Sequence, residues 1–241
     1  MDALPLPVAT AAPRAVPLTH AFRWFEAAMR LFKVAPFSWC ALGAITLASE
    51  LALELVPGVG AAAAKVIVPV VDCGMLLGAA AVDRGAPLEL RFAVAAFRAR
   101  PAALAAIVLS ALLVTAVETI LAYAFSGANL LANPSDERLT ATALLVVIGA
   151  GTLASLPVAF VPFAALLEGA SFARAFTGSL RGFALNIAPL VLFGALALIL
   201  TMIGLVVLWG VGLVVVFPLL TAASYAAWKD IYAPAGMAFK S

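Results

Sequence analysis

The sequence predicts an all-α fold, a polytopic membrane helical bundle of six transmembrane helices accompanied by three interfacial amphipathic helices. Three observations predict it. The 241 residues are 66% hydrophobic and 11% charged, with a mean hydropathy of +1.16. That is more apolar surface than one soluble core of this length can bury, so lipid must be the solvent for much of it. The apolar residues fall in runs of about 20, the length that crosses a bilayer as a helix. The charges sit between those runs, where Phe and Arg alternate around amphipathic strips.

Residues 1–19 carry Pro5, Pro7, Pro13 and Pro17 and lack the continuous apolar stretch of a secretory signal, so they read as a disordered cytoplasmic tail. Helical periodicity starts at Thr19. Phe22, Phe25, Met29 and Phe32 share one face, and Arg23, Glu26, Arg30 and Lys33 share another, a strip that lies in the membrane interface with Trp24 as a further anchor. Pro36 ends the strip, because the residue before a proline is steered out of helical geometry. Residues 37–56 then form the first span, Pro57-Gly58-Val59-Gly60 a tight turn, and residues 61–82 the return span. The return span holds Pro69 and the spacing Gly74-x-x-x-Gly78, which lets a neighbouring helix backbone approach closely. After Asp83-Arg84-Gly85 comes a second strip, with Leu90, Val94 and Phe97 on one face and Arg91 and Arg98 on another.

Residues 102–125 make the third span, interrupted by Glu118, and a polar loop follows with Asn133-Pro134-Ser135-Asp136 as its turn chemistry. Residues 140–167 make the fourth, with Pro157 and Pro162 inside it. A third strip sets Phe172, Phe176 and Phe183 against Arg174 and Arg181. Between Arg181 and Lys229 the only ionisable group is Tyr225, and this length divides into spans at 187–203 and 211–228, closing on Trp228 as an interfacial anchor. The membrane domain thus covers 20–232, and 233–241 form a second cytoplasmic tail. Nearly every Lys and Arg falls on one side of this topology, with Arg138 alone on the other and Lys65 inside a span. The positive-inside rule then puts both termini in the cytoplasm and the protein in the inner, or plasma, membrane.

The three hairpins share one grammar and read as three helical-hairpin repeats. Each has an aromatic-basic strip, a span, a Gly-x-Gly (Gly58/Gly60, Gly149/Gly151, Gly210/Gly212), a proline (Pro69, Pro157, Pro218) and an acidic exit (Asp83, Glu168, Asp230). Three stretches carry a resemblance. They are Arg23-Trp24-Phe25 through Met29-Arg30-Leu31-Phe32 to Pro36, the Asp83-Arg84-Gly85 exit leading to Phe97-Arg98, and Tyr225-x-x-Trp228-Lys229-Asp230-Ile231-Tyr232. Together they resemble a family of uncharacterised bacterial six-pass inner-membrane proteins. More distantly, the hairpin grammar is similar to the membrane part of some glycerophosphodiester phosphodiesterases. The resemblance covers about residues 22–232; it implies topology and location, and brings no site residues with it.

Chemistry must be sought among few groups. The one histidine, His20, has no nucleophile pattern around it, and no nucleophile elbow, P-loop, dinucleotide fingerprint or zinc motif occurs. Cys40 and Cys73 lie in apolar runs far from His20, so no metal site and no cofactor is expected. A net charge of +2 gives no reason to expect a nucleic-acid partner. Carboxylates stand out, because an ionised side chain in a span costs about 2.5 to 3.5 kcal/mol on insertion scales. Counting about 1.5 Å per residue from the first turn, Glu54, Lys65, Glu50 and Asp72 lie roughly 5, 8, 11 and 18 Å deep, with Glu118 near 11 Å on the third span. These five are the candidate ion or proton site. The expectation for function is a structural, interaction or lipid-associated bundle without turnover, partnered by membrane lipids and a second copy of itself. The alternative is a cation- or proton-coupled transporter or channel using the carboxylates; enzymatic activity is not expected.

Overall fold

The computed structural model describes residues 12–131, 137–207 and 209–232. The expected turn at Asn133 to Asp136 and the expected tail at 233–241 lie outside the described residues, as does 1–11. Nine α-helices are described: α1 (His20–Val34), α2 (Pro36–Glu54), α3 (Gly60–Asp83), α4 (Pro101–Ser126), α5 (Ala141–Ser155), α6 (Val161–Leu167), α7 (Phe172–Leu185), α8 (Ile187–Met202) and α9 (Leu213–Tyr232). Short 3₁₀ segments occupy Leu90–Arg98 and Leu156–Val158, and a π turn at Ile203–Val207 extends α8. Six helices are long and apolar enough to cross a membrane: α2, α3, α4, α5 extended to Val158, α8 extended to Val206, and α9.

The bundle has a centre and a rim. The apolar windows of α3 and α9 are 61% and 56% buried, whereas those of α2, α4 and α5 are each 22% buried. The outer helices therefore present Leu, Val and Phe outward, as lipid-facing helices must. Proline sets their starts: Pro36 and Pro101 sit in the first turn of α2 and α4, where a missing N–H costs nothing.

The fourth expected span is broken. It leaves α-helix at Ser155, runs through Leu156–Val158 and restarts as α6. Pro157 and Pro162 each remove a backbone donor, which frees carbonyls that a continuous helix would bond. Ser179 of α7 fills the gap: its hydroxyl donates to the Pro157 carbonyl at 2.8 Å and accepts from the Phe160 N–H at 3.1 Å.

The strips depart from expectation in how they face. On α1 the buried side is Ala21, Trp24, Ala27, Ala28 and Leu31, packed against α9, while Phe22 and Met29 are exposed. Trp24 is only 2% exposed, so it is a core residue rather than an interfacial anchor. Small residues on that face allow close helix approach, and at about 1.5 to 3 kcal/mol per buried large side chain the packing of Trp24 and Leu31 holds α1 against the bundle. The second strip is 3₁₀ rather than α; it turns Phe92, Ala93 and Ala96 inward and Leu90, Val94 and Phe97 outward. Its seat on α3 explains the Gly74-x-x-x-Gly78 spacing. A Cβ at Gly74 would collide with the Phe92 carbonyl and one at Gly78 with the Leu88 side chain, so the close partners are this strip and the residue that leads into it, not a membrane helix.

The expected loose tail is fixed along 12–19. Arg14 N–H donates to the Ile231 carbonyl at 3.0 Å, Val16 N–H to Asn186 Oδ1 at 2.8 Å, and Asn186 Nδ2 to the Arg14 carbonyl at 3.0 Å. This strap ties the segment before α1 to the ends of α7 and α9.

Candidate functional site

Glu50 and Glu54 sit one turn apart near the end of α2, and the turn that follows, with Gly58 at φ +82°, brings Lys65 of α3 beside them. Lys65 Nζ donates to Glu50 Oε1 at 3.2 Å, with side chains 26% and 29% exposed. The charge of Glu54 interacts with both members of this pair. Glu118 reaches the same pair from α4, its carboxylate occupying the space that the missing Cβ of Gly151 on α5 leaves open. Asp72 interacts with Glu50 from below. All five expected residues thus belong to one electrostatic cluster with Glu50 at its centre.

Asp72 differs from the other four in depth. It lies twelve residues after Gly60 and eleven before Asp83, the middle of α3. Among the described residues no hydrogen bond or ion pair reaches it. Its side chain lines two clefts, one of about 260 Å³ shared with Thr46, Glu50 and Pro69, the other of about 330 Å³ shared with Ser155, Thr221 and Ser224. Only Asp72 and Phe217 line both. Pro69 in α3 and Pro218 in α9 stand close by along the chain, and each weakens the helix locally by deleting a backbone bond.

Lys65, Asp72 and Asp83 lie within about 20° of each other around α3 at 100° per residue, so one face carries all three. Asp83 closes that face at the other end, accepting from Tyr225 Oη at 2.8 Å and from Lys229 Nζ at 2.6 Å. Facing them along α9 are Phe217, Thr221, Ser224 and Tyr225. A polar line therefore runs through the bundle from Glu50 to Lys229, between the two most buried helices.

The other acidic exits also end on α9. Trp228 Nε1 donates to Glu168 Oε1 at 3.0 Å, and Trp228 is 3% exposed, again core rather than the interfacial anchor expected. Asp230 accepts from Trp24 Nε1 at 3.0 Å and pairs with His20 Nδ1 at 2.7 Å and Arg14 Nη2 at 2.9 Å. An aromatic layer fills the space between: Phe163 stacks on Trp228 at 5.9 Å and Phe160 meets Tyr232 edge-on at 5.4 Å. Asp83, Glu168 and Asp230 were legible only as the charged ends of hairpins. The segment that holds Asp83 and Glu168 and carries Asp230 is signalled by Tyr225-x-x-Trp228-Lys229-Asp230, a density of hydrogen-bonding side chains at the end of an apolar helix.

The remaining strip residues are divided. Phe97 and Phe172 are exposed like Phe22, Phe25 packs on Phe193 at 5.3 Å, Phe32 lies against the core, and Phe176 lies 4.9 Å from Phe172. Arg91 pairs with Glu89 at 2.8 Å, Arg23 lies 3.5 Å from His20 Nε2, and Arg30 and Arg98 each engage a neighbouring group. Arg174 and Arg181 line a separate cleft of about 350 Å³. Cys40 and Cys73 are free thiols, and among the described residues no group of three His, Cys, Asp or Glu side chains converges as a metal site. No protein family, curated protein or solved structure matches the chain.

Proposed function

We propose that this chain is a proton-coupled membrane transport protein in which Asp72 takes up and releases the proton. One observation carries the reading: a carboxylate at the middle of a membrane-spanning helix, without a partner among the described residues, borders a cleft on either side of it. A charge at that depth is costly, and such residues mark proton and ion paths in membrane bundles. Thr46, Ser155, Thr221 and Ser224 supply hydroxyls along the path, and Phe217, the other side chain common to both clefts, stands where a gate would close. The Glu50–Lys65 pair guards the entrance from the other side of the cluster. His20, the one histidine, is engaged by Asp230 and lines neither of the Asp72 clefts, so it is given no part in the proton path.

The test is reconstitution into liposomes loaded with pH- and cation-sensitive dyes. Wild-type protein is expected to dissipate an imposed pH gradient, and Asp72→Asn to lose that flux while melting at the same temperature. Equal flux from Asp72→Asn, or none from wild type, overturns the reading. A second reading, a bundle without turnover, is favoured by the Glu50–Lys65 pair, which neutralises part of the cluster and staples the first hairpin. Crosslinking in native membranes that captures a second copy, together with silent liposomes, would support it. In either reading the Arg- and Lys-rich end of the bundle faces the cytoplasm of the inner membrane. A reporter fused after Ser241 is then active in the cytoplasm, and one inserted near Ser135 is active outside.

A further inference from the structure

The cleft beside α7 is separate from the Asp72 line and has a chemistry of its own. It opens between α6, α7 and the last turn of α9, with a volume of about 350 Å³. Glu168, Arg174, Thr177, Arg181, Trp228 and Tyr232 are the polar side chains that matter in it. Most of its donors are already committed. Trp228 donates to Glu168, Tyr232 Oη to the Gly178 carbonyl at 2.9 Å, Thr177 to the Ala173 carbonyl at 2.8 Å, and Ser179 to Pro157. The two guanidinium groups are the exception: no carboxylate among the described residues pairs with Arg174 or Arg181. They stand seven residues apart, two turns and about 10 Å along one face of α7.

Two arginines without partners around an aromatic-walled cleft ask for an anion, and the planar fork of each fits phosphate oxygens in pairs. The surroundings identify its source. α7 is an amphipathic helix whose Phe172, Leu180 and Leu185 are 39%, 48% and 47% exposed on the same element that carries the arginines. Trp228 and Tyr232 belong to the final turns of a membrane-spanning helix, the level at which lipid headgroups lie. We infer that this cleft binds the phosphate of an anionic phospholipid headgroup, with Arg174 and Arg181 as its ligands and the exposed apolar side chains of α7 against the acyl chains. The inference does not depend on the transport reading, since none of these residues lines the Asp72 clefts.

Native mass spectrometry of the purified full chain, with phosphatidylglycerol, phosphatidylcholine and inorganic phosphate added in turn, tests it. Wild-type protein is expected to retain phosphatidylglycerol in preference to phosphatidylcholine, and Arg174→Gln/Arg181→Gln to hold it at least about tenfold more weakly, as loss of charged hydrogen bonds predicts. Arg174→Lys/Arg181→Lys, which keeps the charges and removes the forks, should fall between. Arg91→Gln, on a different strip, should leave retention unchanged and controls for general loss of surface charge. Equal retention by wild type and the glutamine variant, or by the two lipids, overturns the inference. Inorganic phosphate that displaces phosphatidylglycerol at similar concentration overturns the lipid assignment and makes the ligand a soluble anion.

Discussion

His20 Nδ1 lies 2.7 Å from Asp230 Oδ2, joining residues 210 positions apart at one end of the bundle. The same carboxylate takes Trp24 and Arg14, so one side chain in the last turn of α9 gathers the strap and the start of α1. Asp230 is mostly buried and all its partners are donors. Asp230→Ala is expected to cost about 3 kcal/mol, the scale of removing one side of a buried charged network. Trp24→Phe, which removes one donor and keeps most of the ring, should cost nearer about 1 kcal/mol. Thermal unfolding in detergent ranks the two; equal losses would show that Asp230 acts through the Trp24 bond alone, with Arg14 and His20 adding nothing.

Lys65 and Glu50 should be energetically coupled. Because both side chains are about a quarter exposed, the pair is worth about 1 kcal/mol rather than the larger value of a fully buried one. Glu50→Gln/Glu54→Gln is expected to lose more stability than Lys65→Met, since it leaves the ammonium with only Asp72 and Glu118 nearby. Adding Lys65→Met to it should restore part of the loss. Strictly additive losses in a double-mutant cycle would separate Lys65 from the glutamates.

Ser179 is a conformational cap for a break in another helix. Ser179→Ala strands the Pro157 carbonyl and the Phe160 N–H in a site where Ser179 itself is 1% exposed, at an expected cost of about 1 to 3 kcal/mol. Hydrogen exchange should quicken at the Phe160 amide, ahead of any global change. Exchange that rises evenly along α6 and α7 would argue against a local role.

Two glycines should respond in opposite directions. Gly74→Ala places a methyl against the Phe92 carbonyl and is expected to destabilise by about 1 to 3 kcal/mol, since backbone must move. Gly178 has open space at the Cβ position within α7, so Gly178→Ala should gain about 0.5 to 1 kcal/mol from helix propensity. Melting temperatures of the two variants check both signs at once.

Much of this architecture follows from sequence alone because its determinants are local. Span length is read from about 20 apolar residues in succession, helix starts from Pro36 and Pro101, and the hairpin turn from Pro57 to Gly60. Glu50, Glu54 and Lys65 are assigned to one place by helix periodicity and a tight turn, which fix depth and face without reference to any other part of the chain. Asp72 is equally legible as a deep charge, yet Phe217 lines both of its clefts and Thr221 and Ser224 line one, residues that helix periodicity on α3 says nothing about.

Tertiary structure decided which neighbour each surface met. The amphipathic pattern of α1 offers a Phe face and an Ala-Trp face, and the second is buried because Asp230 satisfies the Trp24 indole and small residues let α9 approach. Gly74 and Gly78 promise a close contact, but only the folded chain shows that the Phe92–Ala93 backbone and the Leu88 side chain make it. Pro157 and Pro162 are visible inside an apolar run that reads as one span, whereas the break they make and its repair by Ser179 from another helix emerge only when the two segments are brought together. Hydrophobic length and charge are properties of a segment and can be read along it. Hydrogen-bond partners and packing faces belong to pairs of segments, and burial makes their choice only once the whole bundle has formed.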